Sequence, residues 1–292
     1  MKSGRWLPAA MLAPAVLYIF ALVGAPFLLA ILFSVTDVKV ASEGFDFVGL
    51  RNFAGVLESP TFRKALRNSF LFAISSQVLV LAGATVLSLA LQTPFRGRGL
   101  VRFLILLPWV APISLGAIGW KWILDSIYSV INWGLAALSL VSAANPPMWL
   151  GEPALAMISV VLVHTWRMLP FATVVLLAGL TSIPKDIPEA ASVDGAGFWR
   201  THFTITLPMM RPIVLVAGLF GLVFTFTDMA VVYILTRGGP YDSTHVLPSL
   251  AFFTGILGGD LAGGAAISLF LFPLLLAAAV LMLRIARRSE AA

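Results

Sequence analysis

The chain alternates between long runs without charged side chains and short polar segments. Each run approaches or exceeds the roughly 20 residues that cross about 30 Å of hydrocarbon as an α-helix. Only helices or closed barrels satisfy the backbone in lipid. We therefore predict an all-α polytopic membrane protein with six transmembrane helices. The runs are 6–36, 68–95, 103–120, 153–184 (interrupted by Arg167), 212–236 (interrupted by Asp228) and 261–283.

A seventh uncharged stretch covers residues 126–151, but it is rich in turn-forming residues. It contains two prolines, two asparagines and four serines. We predict a short interfacial helix around 128–141 followed by a turn, because these residue types favour turns over a continuous span. Pro108 and Pro112, which bracket Trp109, indicate an unwound turn facing a cavity inside the third run; a packing kink is the alternative.

Composition supports the membrane assignment. The chain is 60% hydrophobic and only 11% charged, with a mean hydropathy of +0.98, whereas soluble domains carry about 25% charged residues. Cysteine is absent, which excludes disulfides and thiolate metal sites. We predict a single membrane domain over residues 1–292, with a first span at 8–35, a core at about 65–288 and a polar loop at 184–211.

The basic residues predict the orientation. With six spans, 11 basic residues fall on one side and 6 on the other, so the positive-inside rule places both termini and the 184–211 loop in the cytoplasm. We attribute the net charge of +6 to this bias rather than to nucleic-acid binding. The first run exceeds the 7–15 residues of a signal-peptide core, so we expect a retained span. The more basic side carries Lys2, Arg5, Arg96, Arg98, Arg102, Lys185, Arg200, Arg211, Arg284, Arg287 and Arg288.

The polar loop at 184–211 carries strong helix boundary signals. Asp186 and Glu189 form a capping-box pattern, Pro188 suits a first turn, and Gly195 stands where a helix would end with positive φ. We predict a helix over 187–194 and a second from Phe198 to about residue 203, with breaks at Leu207-Pro208 and Arg211-Pro212. A short rigid helix between two spans is suited to a groove on another protein.

The loop resembles the EAA loop of binding-protein-dependent ABC importer permeases. The match lies in Glu189-Ala190-Ala191, Asp194-Gly195-Ala196 and Ile205-x-Leu207-Pro208. The segments Phe47 to Phe53, Phe62 to Ser69 and Tyr233 to Pro240 resemble parts of carbohydrate-uptake permeases. The likeness covers about residues 8–288 and is best for the first permease of the maltose, lactose and glycerol-3-phosphate type. Unlike the maltose permease, this chain lacks extra N-terminal spans and a large periplasmic insert.

This resemblance implies a type I ABC importer permease fold and a set of partners. The 187–203 segment would be a coupling helix seated in an ATP-hydrolysing subunit, with Glu189 facing a basic residue of that subunit and Gly195 allowing a bend. The partners would be a second permease, two nucleotide-binding subunits and an extracytoplasmic solute-binding protein, in the cytoplasmic membrane of a bacterium or archaeon. ATP and Mg²⁺ would bind the partner subunits, and this chain would hold no cofactor or metal.

Charged and aromatic residues inside the runs suggest where cargo passes. A charge within a span costs roughly 2.5–3.5 kcal/mol on insertion scales, so it indicates a function or a pairing. One interpretation is a polar, aromatic-lined cavity for a sugar; the other is that Arg167 and Asp228 pair with each other or with the partner permease. Arg167, His164 and Lys121 would tolerate an anionic sugar phosphate, whereas the tryptophans and Asp228 suit a neutral sugar. The candidate pathway residues are Trp120, Trp166, Arg167, Thr225, Thr227 and Asp228.

Other function classes lack their motifs. No Gly-x4-Gly-Lys-Ser/Thr loop occurs, so we expect no ATP hydrolysis by this chain. An intramembrane hydrolase would need a Gly-x-Ser-x-Gly or His-Glu-x-x-His setting, and neither is present. An ion-coupled secondary transporter is the main alternative; it should show inverted repeats or paired broken helices, and six spans with one dominant cytoplasmic loop argue against it. The sequence leaves open whether the cargo is a sugar, a polyol or a sugar phosphate.

Overall fold

The computed structural model describes residues 6–142 and 144–290, with side chains over 10–142 and 144–285. Within these residues the structure is helical apart from turns and one isolated β-bridge between Thr36 and Phe47. Lys2 and Arg5, which enter the orientation argument, lie outside the described residues. The α-helices are α1 (Trp6–Ile19), α2 (Ala25–Ser34), α3 (Arg51–Glu58), α4 (Pro60–Gln92), α5 (Arg98–Val110), α6 (Ile113–Ile123), α7 (Val130–Ala137), α8 (Pro153–Ser182), α9 (Asp186–Val193), α10 (Phe198–Thr201), α11 (Leu207–Met209), α12 (Arg211–Thr227), α13 (Ala230–Leu235), α14 (Leu247–Phe252), α15 (Leu261–Leu269) and α16 (Leu271–Glu290).

Three π-helical segments join neighbouring α-helices: Phe20–Gly24, His202–Thr206 and Phe253–Leu257. Four helical stretches are long and apolar enough to cross a membrane, namely Ala10–Ser34, Pro60–Gln92, Pro153–Ser182 and Leu261–Ile285. Two bent pairs, Arg98–Val110 with Ile113–Ile123 and Phe198–Met209 with Arg211–Thr227, raise the number to six if each pair is one span. The predicted all-α membrane fold is confirmed.

The third predicted run is not one straight helix. It breaks between α5 and α6, whose axes differ by 96°. Ala111 is extended, with ψ of 143°, because the ring of Pro112 disfavours helical geometry in the residue before it. The predicted unwound turn near Pro108 and Pro112 is therefore present, and the uninterrupted span at 103–120 was wrong.

The seventh stretch forms a helix shorter than predicted. α7 covers Val130–Ala137 rather than 128–141. Ser129 starts it, since its hydroxyl accepts a hydrogen bond from the Asn132 amide and so satisfies a free donor of the first turn. The Asn132 side chain is buried, donates to Pro147 O and accepts from the Trp149 indole. These bonds attach the helix to the turn that follows it.

The chain divides into two compact units. The first contains the residues up to 63 together with 250–272. In it α15 packs against α2 and α3, and a Cβ built on Gly264 would lie 2.5 Å from the Gly255 backbone, so these two glycines permit a close helix contact. The Asn52 side chain donates to the carbonyls of Ser34 and Thr36, which holds the end of α2 against α3.

The second unit contains residues 64–249 and those from 273 onward. α8 is its central helix and packs against α5, α12 and α13. One apolar cluster surrounds Phe72, Val160 and Val232, and another surrounds Val80, Met168 and Leu176. A helix buried on several sides explains why 153–184 shows little separation of polar and apolar faces. The candidate functional residues outside the polar loop lie on α6, α8 and α12.

Candidate functional site

The predicted helix–glycine–helix pattern of the polar loop is present. α9 ends at Val193, Asp194 is its C-cap, and Gly195 follows with φ of +80°. The amide of Ala196 donates to Ala191 O and the amide of Gly195 to Ser192 O, which is the Schellman arrangement that closes a helix on a left-handed residue. A non-glycine residue is strained in this conformation. Gly195 therefore sets the direction in which the chain leaves α9.

The start of α9 differs from the prediction. The helix begins at Asp186, its N-cap is Lys185, and no side chain caps it. The expected capping box of Asp186 and Glu189 is therefore not formed: Asp186 already lies inside the helix, so its backbone is not placed to act as the cap. Both acidic residues instead lie in the first turn, where negative charge is favoured by the helix dipole.

The residues of the EAA-like segment divide by exposure. Ala191 is only 7% exposed, so its face of α9 is covered, and α9 contacts α10. Glu189, Ala190 and Asp194 are exposed and are available to a partner. Of the downstream residues, Ile205 and Leu207 are partly buried and Pro208 is exposed.

The second helix of the loop is longer than predicted. Helical structure continues from Phe198 through the π-segment to Met209. Leu207-Pro208 does not break it. Pro208 follows the π-helical segment His202–Thr206, and a local π-helical adjustment lets a helix continue past a proline. The break comes at Met210, where the segments on either side differ in direction by 73°. Pro212 lies in the first turn of α12.

Three exposed aromatic side chains lie along this second helix. Phe198 and Trp199 pack edge to face, and Trp199 stacks on Phe203 with ring centroids 6.0 Å apart. All three are about 60% exposed. Exposed aromatic groups of this kind are common at protein interfaces and at membrane surfaces.

The charges predicted inside the spans form one buried cluster. The Asp228 carboxylate accepts a 2.6 Å hydrogen bond from the Arg167 guanidinium and lies 3.1 Å from His164 Nδ1. Its second oxygen accepts from the Val231 amide. His164 is fully buried, and the Asp228 side chain is 5% exposed, whereas Arg167 is 26% exposed. The cluster therefore offers a cargo mainly the outer part of Arg167.

Thr225 extends this cluster and restricts its hydrogen bonding. Its hydroxyl lies 2.9 Å from His164 Nε2 and donates to Gly221 O at 2.7 Å. Because a hydroxyl has one hydrogen, it accepts from Nε2 whenever it donates to Gly221. Thr227 does not join the cluster: it is exposed, and its hydroxyl bonds to Val223 O of its own helix.

Asp228 also changes the fifth run. It terminates α12 with ψ of 117°, and two residues later α13 begins. The predicted continuous run at 212–236 is therefore interrupted at its charged residue. The carboxylate bonded to Val231 satisfies a first-turn donor of α13, which compensates part of the break.

The tryptophans of the predicted pathway pack together rather than line an open channel. Trp120 and Trp166 meet edge to face at 5.6 Å. The cavity beside Trp166 and Arg167 holds only about 10 Å³, which is below the volume of a sugar. In this conformation, then, the structure brings Trp120, Trp166, Arg167, Thr225 and Asp228 into one region without an open site.

Sequence reasoning missed Gln77 of α4. This residue is 8% exposed, and its side-chain nitrogen has no hydrogen-bond partner. Its amide lies against Gly221 so closely that a Cβ at Gly221 would overlap it. Its position in the sequence could have indicated it, because Gln77 places a carboxamide in the middle of the apolar run 68–95. Polar groups within spans are rare and often have a function.

Outside the spans, the loop before α14 holds a second buried histidine. Burial lowers the pKa of His245, and the nearby Asp242 carboxylate opposes that shift. Its Nδ1 lies 3.1 Å from Ser249 Oγ.

The pKa of Asp125 is lowered by backbone hydrogen bonds from Tyr128 and Ile127. Within the described residues, no group of three or more His, Cys, Asp or Glu could hold a metal ion.

Comparison with known families gives a match over most of the second unit. Residues 84–290 match the family described as binding-protein-dependent transport system inner membrane component. The trehalose/maltose transport system permease protein of Thermococcus litoralis is 34% identical over 241 residues, which cover 82% of this chain and 80% of that protein. The diacetylchitobiose uptake system permease protein of Streptomyces coelicolor is 28% identical over 99% of this chain and 89% of its own length.

A solved structure shares the fold. A chain of a bacterial ABC transporter involved in the import of the acidic polysaccharide alginate superposes with a TM-score of 0.82, at 21% identity, over 97% of this chain and 96% of that chain. The sulfoquinovosyl glycerol transport system permease protein of Agrobacterium fabrum is 28% identical over 98% of this chain and 92% of its own length. The similarity therefore extends beyond the polar loop to almost the whole chain.

Proposed function

The chain belongs to the family of binding-protein-dependent transport system inner membrane components, and from that premise we propose that it translocates a sugar, polyol or sugar phosphate in an ATP-driven importer. A solute-binding protein on the outer side delivers the cargo. A separate nucleotide-binding subunit hydrolyses ATP, and a second permease completes the pathway. The family and its sugar-permease relatives support the general class, and the partners and cargo are part of the proposal.

The observation that carries the proposal is the geometry around Gly195. Ala191 is buried, Glu189 and Asp194 stay exposed, and the turn at Gly195 joins α9 to α10, which it contacts. A short helix that is joined to the next one by a rigid turn and is open on its other side can transmit a displacement along the loop to the span that follows. We propose that this loop docks into the ATP-hydrolysing subunit and that closure of that subunit changes the access of the pathway.

Two glycines allow a matched test of this coupling. Gly195 has φ of +80° and Gly197 has φ of −69°, and a Cβ at either one meets no atom within 4 Å. Gly195→Asp therefore strains the turn, whereas Gly197→Asp adds the same charge without strain. We expect Gly195→Asp and Glu189→Lys to reduce co-purification of the nucleotide-binding subunit about tenfold, which is about 1.4 kcal/mol. Gly197→Asp should retain the subunit.

The same complexes decide between the transport classes. In proteoliposomes that contain the binding protein, uptake should require ATP, and Gly195→Asp should abolish it. Uptake driven by a proton gradient without ATP would instead support the ion-coupled alternative. Normal ATP-driven uptake with α9 and α10 scrambled would overturn the proposed coupling.

Orientation is tested separately, since the chain contains no cysteine. Ala190 and Lys39 are both exposed, and the charge distribution predicts them on opposite sides. An impermeant maleimide should label Ala190→Cys in inverted vesicles and Lys39→Cys in right-side-out vesicles. The reverse pattern would place the loop outside and contradict its contact with a cytoplasmic ATPase.

A further inference from the structure

A cavity of about 360 Å³ lies between the polar loop and the ends of α4 and α8. Its volume is within the range of small-molecule sites. Apolar side chains such as Leu89, Leu180 and Ile183 form one part of the wall. The neutral polar side chains that line it are Gln92, Ser192, Thr201, His202 and Thr206.

His202 is the unusual member of this lining. It is only 3% exposed, and neither Nδ1 nor Nε2 has a hydrogen-bond partner. A buried polar group without a partner costs about 1–3 kcal/mol. The proposed coupling mechanism makes no use of this side chain. Because His202 lines the cavity, a ligand there would supply the missing partner.

The lining indicates the chemistry of that ligand. Lys185, which is exposed, is the one charged residue among those that line the cavity, and no carboxylate is among them. The lining therefore contains no negative charge that could bind a cation. For an anion it contains only Lys185, whose charge is exposed to solvent. A neutral imidazole has one donor and one acceptor, and a hydroxyl group can likewise both donate and accept. Hydroxyl and carboxamide side chains beside an apolar wall suit a compound with several hydroxyls and an apolar face.

We propose that this cavity binds a small uncharged polyhydroxy compound, a sugar or a polyol, with His202 as its central hydrogen-bonding residue. The occupant would contact both the loop and the ends of α4 and α8, and so would hold α9 and α10 in their present position. By holding these helices, the ligand would control ATP-driven transport, and this part of the inference rests on the proposed function. Binding of the ligand to the cavity does not depend on that function.

Single cysteines in this cysteine-free chain provide the test. Ala196 lines the cavity, whereas Val193 is 88% exposed on α9 and does not line it. In the purified complex, glucose or glycerol should slow maleimide labelling of Ala196→Cys several-fold and leave Val193→Cys unchanged. Glucuronate and glucosamine, which carry a charge, should protect less than glucose.

The role of His202 is tested in the Ala196→Cys background. His202→Leu should remove the protection, and His202→Gln, which keeps a donor and an acceptor, should retain part of it. Unaltered elution of the complex shows that each variant is folded. In lipid nanodiscs that contain a glycosyl lipid, protection without added sugar would support the site and identify a lipid headgroup as its source.

Any of three results would overturn the proposal. The first is that no uncharged compound slows the labelling of Ala196→Cys, and the second is that such a compound slows the labelling of Ala196→Cys and Val193→Cys equally. The third is that His202→Leu retains full protection of Ala196→Cys. These results concern the cavity alone. Co-purification with the nucleotide-binding subunit, measured on the same preparations, reports on the proposed function independently.

Discussion

Asp228 accepts a 2.6 Å hydrogen bond from Arg167, so the two charges that interrupt otherwise apolar runs neutralise each other within the second unit. Each charge alone would cost several kilocalories per mole within a membrane. Pairing lowers that cost and also occupies Asp228, which has His164 and Val231 as further partners. The accessible part of the cluster is therefore Arg167 rather than the carboxylate.

We predict that Asp228→Asn destabilises the protein more than the loss of both charges does. The variant leaves Arg167 without its carboxylate, and breaking a buried ion pair costs about 3–5 kcal/mol. Because Arg167 is partly exposed, we expect a smaller loss of about 2 kcal/mol. The measurement is the thermal unfolding midpoint of the purified complex.

The control for this prediction is the double variant Arg167→Leu with Asp228→Leu. Replacing a buried pair by apolar residues of similar size is often close to neutral, so its midpoint should lie nearer to that of the unmodified protein. Equal destabilisation by the single and double variants would contradict the prediction.

Thr225 and Thr227 give a second prediction on one helix. Thr225 is buried and lies 2.9 Å from His164 Nε2, whereas Thr227 is exposed and bonds only within α12. Thr225→Val should lower the free energy of unfolding by about 1 kcal/mol, because His164 loses a buried partner. Thr227→Val should change it by much less. Equal effects of the two substitutions would contradict the assigned contact.

The close contact between Gln77 and Gly221 gives a third prediction. A methyl group at Gly221 would overlap the Gln77 amide, so Gly221→Ala should destabilise the second unit by about 1–3 kcal/mol. Gly218→Ala is the control, since its Cβ would approach Met282 at an ordinary 3.4 Å. Adding Gln77→Ala should rescue Gly221→Ala. Thermal unfolding of these three variants and of Gln77→Ala alone measures the coupling, and no rescue would place the strain elsewhere.

The apolar runs predicted the helices well because membrane spans depend on hydrophobicity over some 20 residues, a strong local signal. Gly195 was predicted for a similar reason, since few residues other than glycine adopt positive φ at a helix end. The breaks at Ala111 and Asp228 were harder to predict. A proline in a span either kinks or unwinds it, and which of these occurs depends on the neighbouring helices.

The candidate site shows the same limit. The sequence identified Arg167 and Asp228 as unusual and left open whether they pair with each other or bind cargo. Pairing depends on the packing of α8 against α12, which brings together residues 61 positions apart. The roles of Gln77 and His202 also depend on tertiary contacts, since neither residue stands in a recognisable motif.

The last prediction concerns pH and the loop before α14. Burial lowers the pKa of His245 below its usual value near 6.5, and the attraction of Asp242 only partly offsets this. The unfolded chain therefore takes up the proton more readily than the folded protein. Stability from neutral His245 should be complete above about pH 6.5 and decrease as the pH falls through the lower folded value. His245→Asn should lack this component of the pH dependence.

Asp242→Asn separates burial from the charge effect. Without the carboxylate the folded pKa of His245 should fall further, so the loss of stability should extend to lower pH than in the unmodified protein. The measurement is the unfolding midpoint of the complex as a function of pH. Subtracting the profile of His245→Asn leaves the contribution of His245 and removes that of the carboxylates, which titrate at lower pH. An identical pH profile for His245→Asn and the unmodified protein would show that His245 has the same pKa in both states.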